Sequence, residues 1–132
     1  MIRIKQMLDK MGYVILFVSN MNESINFYKN VLNLPMKSES EKWTEFLYGE
    51  TMLALEFSEK NKITDKNPKM GIVIGFVISN LDSLCNELKS NGVKFLEGPK
   101  EEEFGIHALI LDPDGYVVKQ SDLHLLTCFI AE

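Results

Sequence analysis

Seven side chains of this 132-residue sequence have the chemistry to bind or transform a small molecule. They are Tyr13, Phe17, Trp43, Tyr48, Glu56, His107 and Lys119. The four aromatic rings can form the wall of a pocket, and a buried carboxylate, imidazole or ammonium group can move a proton when its pKa is shifted. Each residue also has a simpler explanation, namely packing for the rings, exposure for the charges and a hydrogen-bonded structural role for His107. The set predicts a ligand pocket and leaves metal-free acid–base catalysis by Glu56, His107 or Lys119 open.

One pattern of residues occurs twice, about sixty positions apart. Residues 17–21 end an apolar run and open a helix, and residues 77–81 do the same in the second half. A repeat of this length indicates one supersecondary unit made twice. We therefore expect a single domain over residues 1–132, with one module at about 11–58, a linker at 59–69 and a second module at about 70–122. The ligand is expected at the surface that the two copies share.

The first half predicts a strand, a helix and three further strands. Residues 12–18 are apolar and rich in β-branched and aromatic side chains, which is typical of a buried strand. Asn20 can cap the following helix, and Pro35 ends it. Three strands are expected between residues 36 and 58, and alternation in the last one places Ala54 and Glu56 on one face.

The second half repeats that order. Residues 71–79 predict a strand, Asn80 can cap a helix, and Gly92 can end that helix in a left-handed conformation. Three strands are expected around residues 93–96, 107–111 and 116–121. The sequence Asp-Pro-Asp-Gly at 112–115 is typical of the turn between the last two.

Composition excludes several classes of protein. The net charge of -5 comes without a basic stripe, which argues against nucleic-acid binding. Two cysteines without CxxC spacing predict neither a disulfide framework nor a zinc knuckle. No apolar run reaches membrane-spanning length, and the start of the chain is unlike a signal peptide, so we expect a cytoplasmic protein without a membrane partner.

The helix segment FVSNMNESINFYKNVLNLP at 17–35 and the turn segment LDPDGYVVKQ at 111–120 together resemble the vicinal oxygen chelate superfamily. That superfamily includes glyoxalase I, extradiol dioxygenases, fosfomycin-resistance enzymes and bleomycin-binding proteins. The resemblance covers about residues 11–122. It implies an α+β fold in which two βαβββ modules form a curved eight-stranded mixed sheet around a cavity, with helices on the outside. It also implies a homodimer, in which the cavity can be built from modules of both chains.

The resemblance also implies where the family's four metal ligands would lie. In this sequence those positions are occupied by Tyr13, Glu56, Val73 and Lys119. A divalent metal prefers imidazole nitrogen or carboxylate oxygen, and catalytic sites usually supply three protein ligands. Only Glu56 offers such a ligand at neutral pH, because tyrosine ionises near pH 10. We therefore expect no metal and no cofactor, and an ion pair of Glu56 with Lys119, direct or through one water, within one chain or across a dimer, with the Tyr13 hydroxyl nearby.

Three functions follow from these observations. The first is metal-independent binding of a small molecule in an aromatic-lined cavity, similar to the bleomycin-resistance branch. The second is a glyoxalase-type lyase or isomerase, or a dioxygenase, with an atypical site. The third is a structural or regulatory dimer with a vestigial cavity. Loss of the ligand set favours the first, because a fold alone does not license an activity.

Overall fold

The chain folds as two βαβββ modules, each with its own four-stranded mixed sheet. This computed structural model describes residues 11–57, 68–102 and 105–122, with the side chains of Tyr48 and Met70 excepted. Its contacts divide the chain into two compact units, 1–62 and 63–132. The α+β class and the two βαβββ modules are confirmed. Of the expected linker, residues 59–67 lie outside the described part of the chain.

The first module contains four strands and one helical segment. The elements are β1 (Tyr13–Val18), α1 (Met21–Ile25), a π-helical segment (Asn26–Val31), β2 (Met36–Ser38), β3 (Trp43–Tyr48) and β4 (Thr51–Phe57). The strand order is β1-β4-β3-β2, with β1 parallel to β4 and the other pairs antiparallel. Helix α1 begins where predicted, because the Asn20 Oδ1 accepts a 3.1 Å hydrogen bond from the Glu23 amide.

The second module repeats this arrangement. Its elements are β5 (Lys69–Val77), α2 (Leu81–Ser90), β6 (Lys94–Glu102), β7 (Gly105–Leu111) and β8 (Tyr116–Asp122). The strand order is β5-β8-β7-β6, and the parallel pair is β5 with β8. The two predicted signals at the ends of α2 are confirmed, since Asn80 Oδ1 accepts from the Ser83 amide and Gly92 has φ +74°.

The helical segment of the first module differs from the continuous α-helix that the sequence predicts. Its second part is π-helical, and the Leu32 amide donates to the Phe27 carbonyl over 2.9 Å, five residues back. The neighbouring rings of Phe27 and Tyr28 are both buried and meet edge to face at 4.9 Å. A wider turn accommodates two consecutive rings on the core side, and Asn33, two residues past the end of the segment, has φ +57°.

In each module the core lies between the sheet and its helix. In the first, Tyr28 packs against Phe46 of β3 with 6.1 Å between ring centroids, beside fully buried Leu55. In the second, Leu81 and Cys85 of α2 pack against Ala108 of β7. Burial raises the pKa of the Cys85 thiol, as expected for a packed cysteine that is not a nucleophile.

The strand β6 is longer than the predicted stretch at 93–96. It runs on to Glu102 through Pro99, with register shifts between Phe95 and Glu97 and between Glu97 and Lys100. Because β6 is the edge strand of its sheet, it tolerates Pro99, which has no amide proton to donate. It tolerates a bulge for the same reason. The sequence predicted a strand only around 93–96, and the edge position allows β6 to continue past Pro99.

The turn between β7 and β8 forms as predicted. The Asp112 carboxylate accepts hydrogen bonds from the amides of Asp114 and Tyr116, each 2.9 Å long. The Gly115 amide donates to the Asp112 carbonyl over 3.0 Å, and Gly115 has φ +89°. In the part of the chain that is described, no helix is long and apolar enough to cross a membrane.

Candidate ligand-binding site

Alternation along the strands of the first module leaves one sheet face uncovered by the helical segment. We call this face the first open face, and the pairing registers assign nine residues to it. They are Tyr13, Ile15 and Phe17 of β1, Met52, Ala54 and Glu56 of β4, and Trp43, Glu45 and Leu47 of β3. The alternate residues, such as Leu16 and Phe46, pack on the helical side.

Large apolar side chains on the first open face are unusually accessible. Tyr13 is 56% exposed and Leu47 is 44% exposed, whereas Leu16 on the opposite face of β1 is 4% exposed. Contiguous exposed apolar residues on a soluble domain commonly mark a binding surface. The face therefore has the composition that a ligand pocket wall requires.

The registers bring Glu56 together with two of the predicted aromatic residues. Phe17 of β1 and Trp43 of β3 are its direct neighbours on either side, and all three side chains are half-buried. Tyr13 pairs instead with Met52, four positions before Glu56 on β4. That offset corresponds to about 13 Å along a strand, so Tyr13 and Glu56 occupy opposite ends of the face.

A second carboxylate, Glu45, belongs to the same face and was not predicted from the sequence. Its Oε1 accepts a 2.9 Å hydrogen bond from the Ser38 hydroxyl. A hydrogen bond from the Trp43 side chain, followed in size by the one from Ser38, lowers the pKa of the Glu45 carboxyl. The sequence held one signal for this placement: Trp43 and Glu45 are two residues apart on one strand and therefore share a face.

The corresponding face of the second sheet carries Lys119 and His107. We call it the second open face, and on it Lys119 of β8 lies between Gly75 of β5 and Leu109 of β7. A Cβ atom on Gly75 would meet nothing within 4 Å, which leaves space on the β5 side of Lys119, whereas Val117 and Ser121 beside it on β8 are buried. Val73 and Val77 flank Gly75 and are 40% and 60% exposed.

His107 is buried among charged residues of the neighbouring strand. Its Nε2 lies 2.8 Å from Glu97 Oε2, and Lys100 contacts the other oxygen of Glu97 at 3.3 Å. Its Nδ1 lies 3.1 Å from Glu102 Oε2, although the angle there does not satisfy hydrogen-bond geometry. The hydrogen bond from His107, and next that from Lys100, lowers the pKa of the Glu97 carboxyl. These contacts favour a structural role for His107, and contact with a ligand stays a prediction.

Two further expectations stay predictions. Tyr48 is the last residue of β3, but its side chain lies outside the described part of the structure. Glu56 and Lys119 belong to different units, so their ion pair stays a prediction; within the described residues of its own unit, neither takes part in an ion pair.

The residues at the four metal positions do not fit a divalent ion. Valine offers no lone pair, and a lysine ammonium would repel the ion. Tyr13 and Glu56 lie four pairs apart on adjacent strands, too far for one metal to bridge. Within the described ranges, no group of three or more His, Cys, Asp or Glu is placed to hold a metal.

Comparison with known proteins relates this architecture to one family. The family model described as Glyoxalase/Bleomycin resistance protein/Dioxygenase superfamily matches residues 10–119. Metallothiol transferase FosB from Staphylococcus saprophyticus is 30% identical over 114 residues, which cover 83% of this chain and 74% of that protein.

Solved structures share the fold at lower identity. A glyoxalase/dioxygenase from Nostoc punctiforme superposes with a TM-score of 0.78 at 21% identity, over 92% of this chain and 96% of that one. A glyoxalase-related enzyme from Fulvimarina pelagi gives 0.73 at 14% identity, over 87% and 88%. The family model matches most of the chain, and FosB is 30% identical to it. The chain therefore belongs to the glyoxalase, bleomycin resistance protein and dioxygenase superfamily.

Proposed function

We propose that the protein binds a small organic molecule without a metal ion and uses the first open face as the apolar wall of the site. The observation that carries this proposal is the cluster of accessible apolar side chains there, Tyr13, Ile15 and Leu47. Covering such surface with a ligand is favourable, at about 25 cal/mol for each Å² removed from water. The half-buried rings of Phe17 and Trp43 extend the same wall.

The absence of a fitting ligand set at the four metal positions supports binding over metal-dependent catalysis. Glu56 alone supplies a carboxylate, and Val73 and Lys119 supply no metal ligand. Recognition by apolar contact and a few polar groups needs no such set. The ligand is held reversibly, and its bonds are unchanged.

A metal-dependent transferase is the second candidate, because the 30% identical relative is a metallothiol transferase. The same family also contains dioxygenases by its description. Either activity would require metal ligands other than those at the four positions. Metal dependence of ligand binding therefore separates the two candidates.

We also propose a homodimer in the cytoplasm. The exposed apolar residues and the free edges of β1 and β5 in their sheets are features that a symmetric partner covers. The buried free thiol of Cys85 suits a reducing compartment. Sedimentation equilibrium should give about twice the 15.1 kDa of one chain. A mass of one chain at micromolar concentration would contradict the dimer. It would not decide between metal-free binding and the metal-dependent transferase.

Titration with Nile red, a neutral apolar dye, tests the binding proposal. We expect saturable binding by protein dialysed against EDTA, with the same affinity after addition of Zn²⁺ or Mn²⁺. Tyr13→Ala should weaken it severalfold, whereas Ile72→Ala should not, since Ile72, although 68% exposed, belongs to β5 of the second module and not to the first open face. Binding that appears only with metal would overturn the proposal.

A further inference from the structure

Glu56 is a carboxylate set between two aromatic rings. Its direct cross-strand neighbours are Phe17 and Trp43, and side chains in such pairs lie about 5 Å apart at Cβ. Glu56 is half-buried, and no ion pair or side-chain hydrogen bond of the described residues reaches its carboxylate. A partly desolvated carboxylate without a cation is unfavourable, so the charge is available to a ligand.

Trp43 is held in place through its backbone. The Ser40 hydroxyl accepts a 3.0 Å hydrogen bond from the Trp43 amide and donates a 2.7 Å hydrogen bond to the Trp43 carbonyl. Lys37 is a cation that acts on the other carboxylate of the face, Glu45. Among the described residues, Glu56 has no cation in an ion pair with it.

An aromatic ring attracts an organic cation through its face, and tryptophan does so most strongly. A carboxylate beside the ring adds direct charge attraction to the same group. A divalent metal gains little here, because rings supply no lone pairs and one carboxylate is too few ligands. A carboxylate that has no ion pair among the described residues, set between two rings, therefore selects an organic ammonium group over a metal ion.

We propose that the ligand carries an ammonium group, which binds at Glu56 against the rings of Trp43 and Phe17. This inference rests on the proposed function, since it names the chemical class of the ligand for the same face. The apolar residues toward Tyr13 receive the remainder of the molecule. The net charge of -5 adds a favourable long-range attraction for a cation.

The test compares choline with 3,3-dimethylbutan-1-ol, its neutral counterpart of nearly the same shape. Trp43 is the sole tryptophan of the chain, so its fluorescence reports binding at this place directly. We expect choline to change the emission saturably and to bind at least about tenfold more tightly than the alcohol. Raising the ionic strength to about 1 M, where charges are screened beyond about 3 Å, should reduce that preference.

Two variants locate the charge that matters. Glu56→Gln keeps the shape of the side chain and should bring the affinity for choline down to that for the alcohol. The matched control is Glu50→Gln, which removes the same charge from the exposed β3–β4 turn, at the far end of the strand. Thermal unfolding should show neither variant to be less stable than the parent protein, because Glu56 makes no side-chain hydrogen bond in the described structure.

The outcomes separate this inference from the binding proposal. Equal affinity for choline and the alcohol, or no response to choline, overturns the ammonium site, while Nile red binding still supports the general proposal. A preference for choline that survives Glu56→Gln also overturns it. Loss of Nile red binding in metal-free protein removes the proposed function itself.

Discussion

The substitution Gly75→Val tests whether the second open face is free to receive a ligand. Gly75 sits inside β5 with no left-handed backbone angle, and an added Cβ would meet nothing within 4 Å. Glycine within a strand costs about 0.5–1 kcal/mol relative to alanine, and valine is a better strand former still. We therefore expect Gly75→Val to stabilise the protein by about 1 kcal/mol.

Thermal or urea unfolding measures this effect. A gain of that size raises Tm by about 2–4 °C for a chain of this length. Gly92→Val is the control and should destabilise the protein. Gly92 has φ +74°, where a β-branched residue costs about 1–2 kcal/mol. A loss of more than about 1 kcal/mol in Gly75→Val would mean that the side chain meets packed atoms. That result would refute an open face beside Lys119.

Three further predictions concern the packing and the electrostatics of the modules. Asn80→Ala should cost about 1 kcal/mol in urea unfolding, because the first turn of α2 loses its side-chain acceptor. Leu55→Ala should cost about 2–5 kcal/mol by the same assay, because Leu55 is fully buried in the first core. Glu97 contributes stability that is present above its ordinary pKa of 4.5 and lost as pH falls through its lowered folded pKa. Glu97→Gln and His107→Gln should each reduce the dependence of unfolding free energy on pH in that acidic window. Glu101→Gln, at an exposed position, is the control and should not.

Local signals in the sequence were enough to predict most of the secondary structure. Asn20 and Asn80 act as helix caps, and the turn at 112–115 has the expected hydrogen bonds, because each depends on residues close in the chain. Strand alternation likewise placed Glu56 on the face away from the helix. The repeat of sixty residues predicted the second module from the first.

The parts that the sequence did not predict depend on register and on packing between elements. The π-helical segment arises where Phe27 and Tyr28 are buried together, which the order of residues alone does not specify. The neighbours of Glu56 follow from the pairing of β1 with β4. A register shifted by two residues would have placed other side chains beside Glu56. The contacts of His107 required the bulged course of β6, which brings Glu97 and Glu102 to its two ring nitrogens.

Elemental analysis is the most direct test of the claim that this family member works without a metal. Protein purified without chelator should contain far less than one equivalent of zinc, nickel, iron or manganese, because the four family positions hold Tyr13, Glu56, Val73 and Lys119. Glu56→Gln, analysed in parallel, should give the same low content. One equivalent of a single metal in the parent protein that disappears in Glu56→Gln would contradict the account.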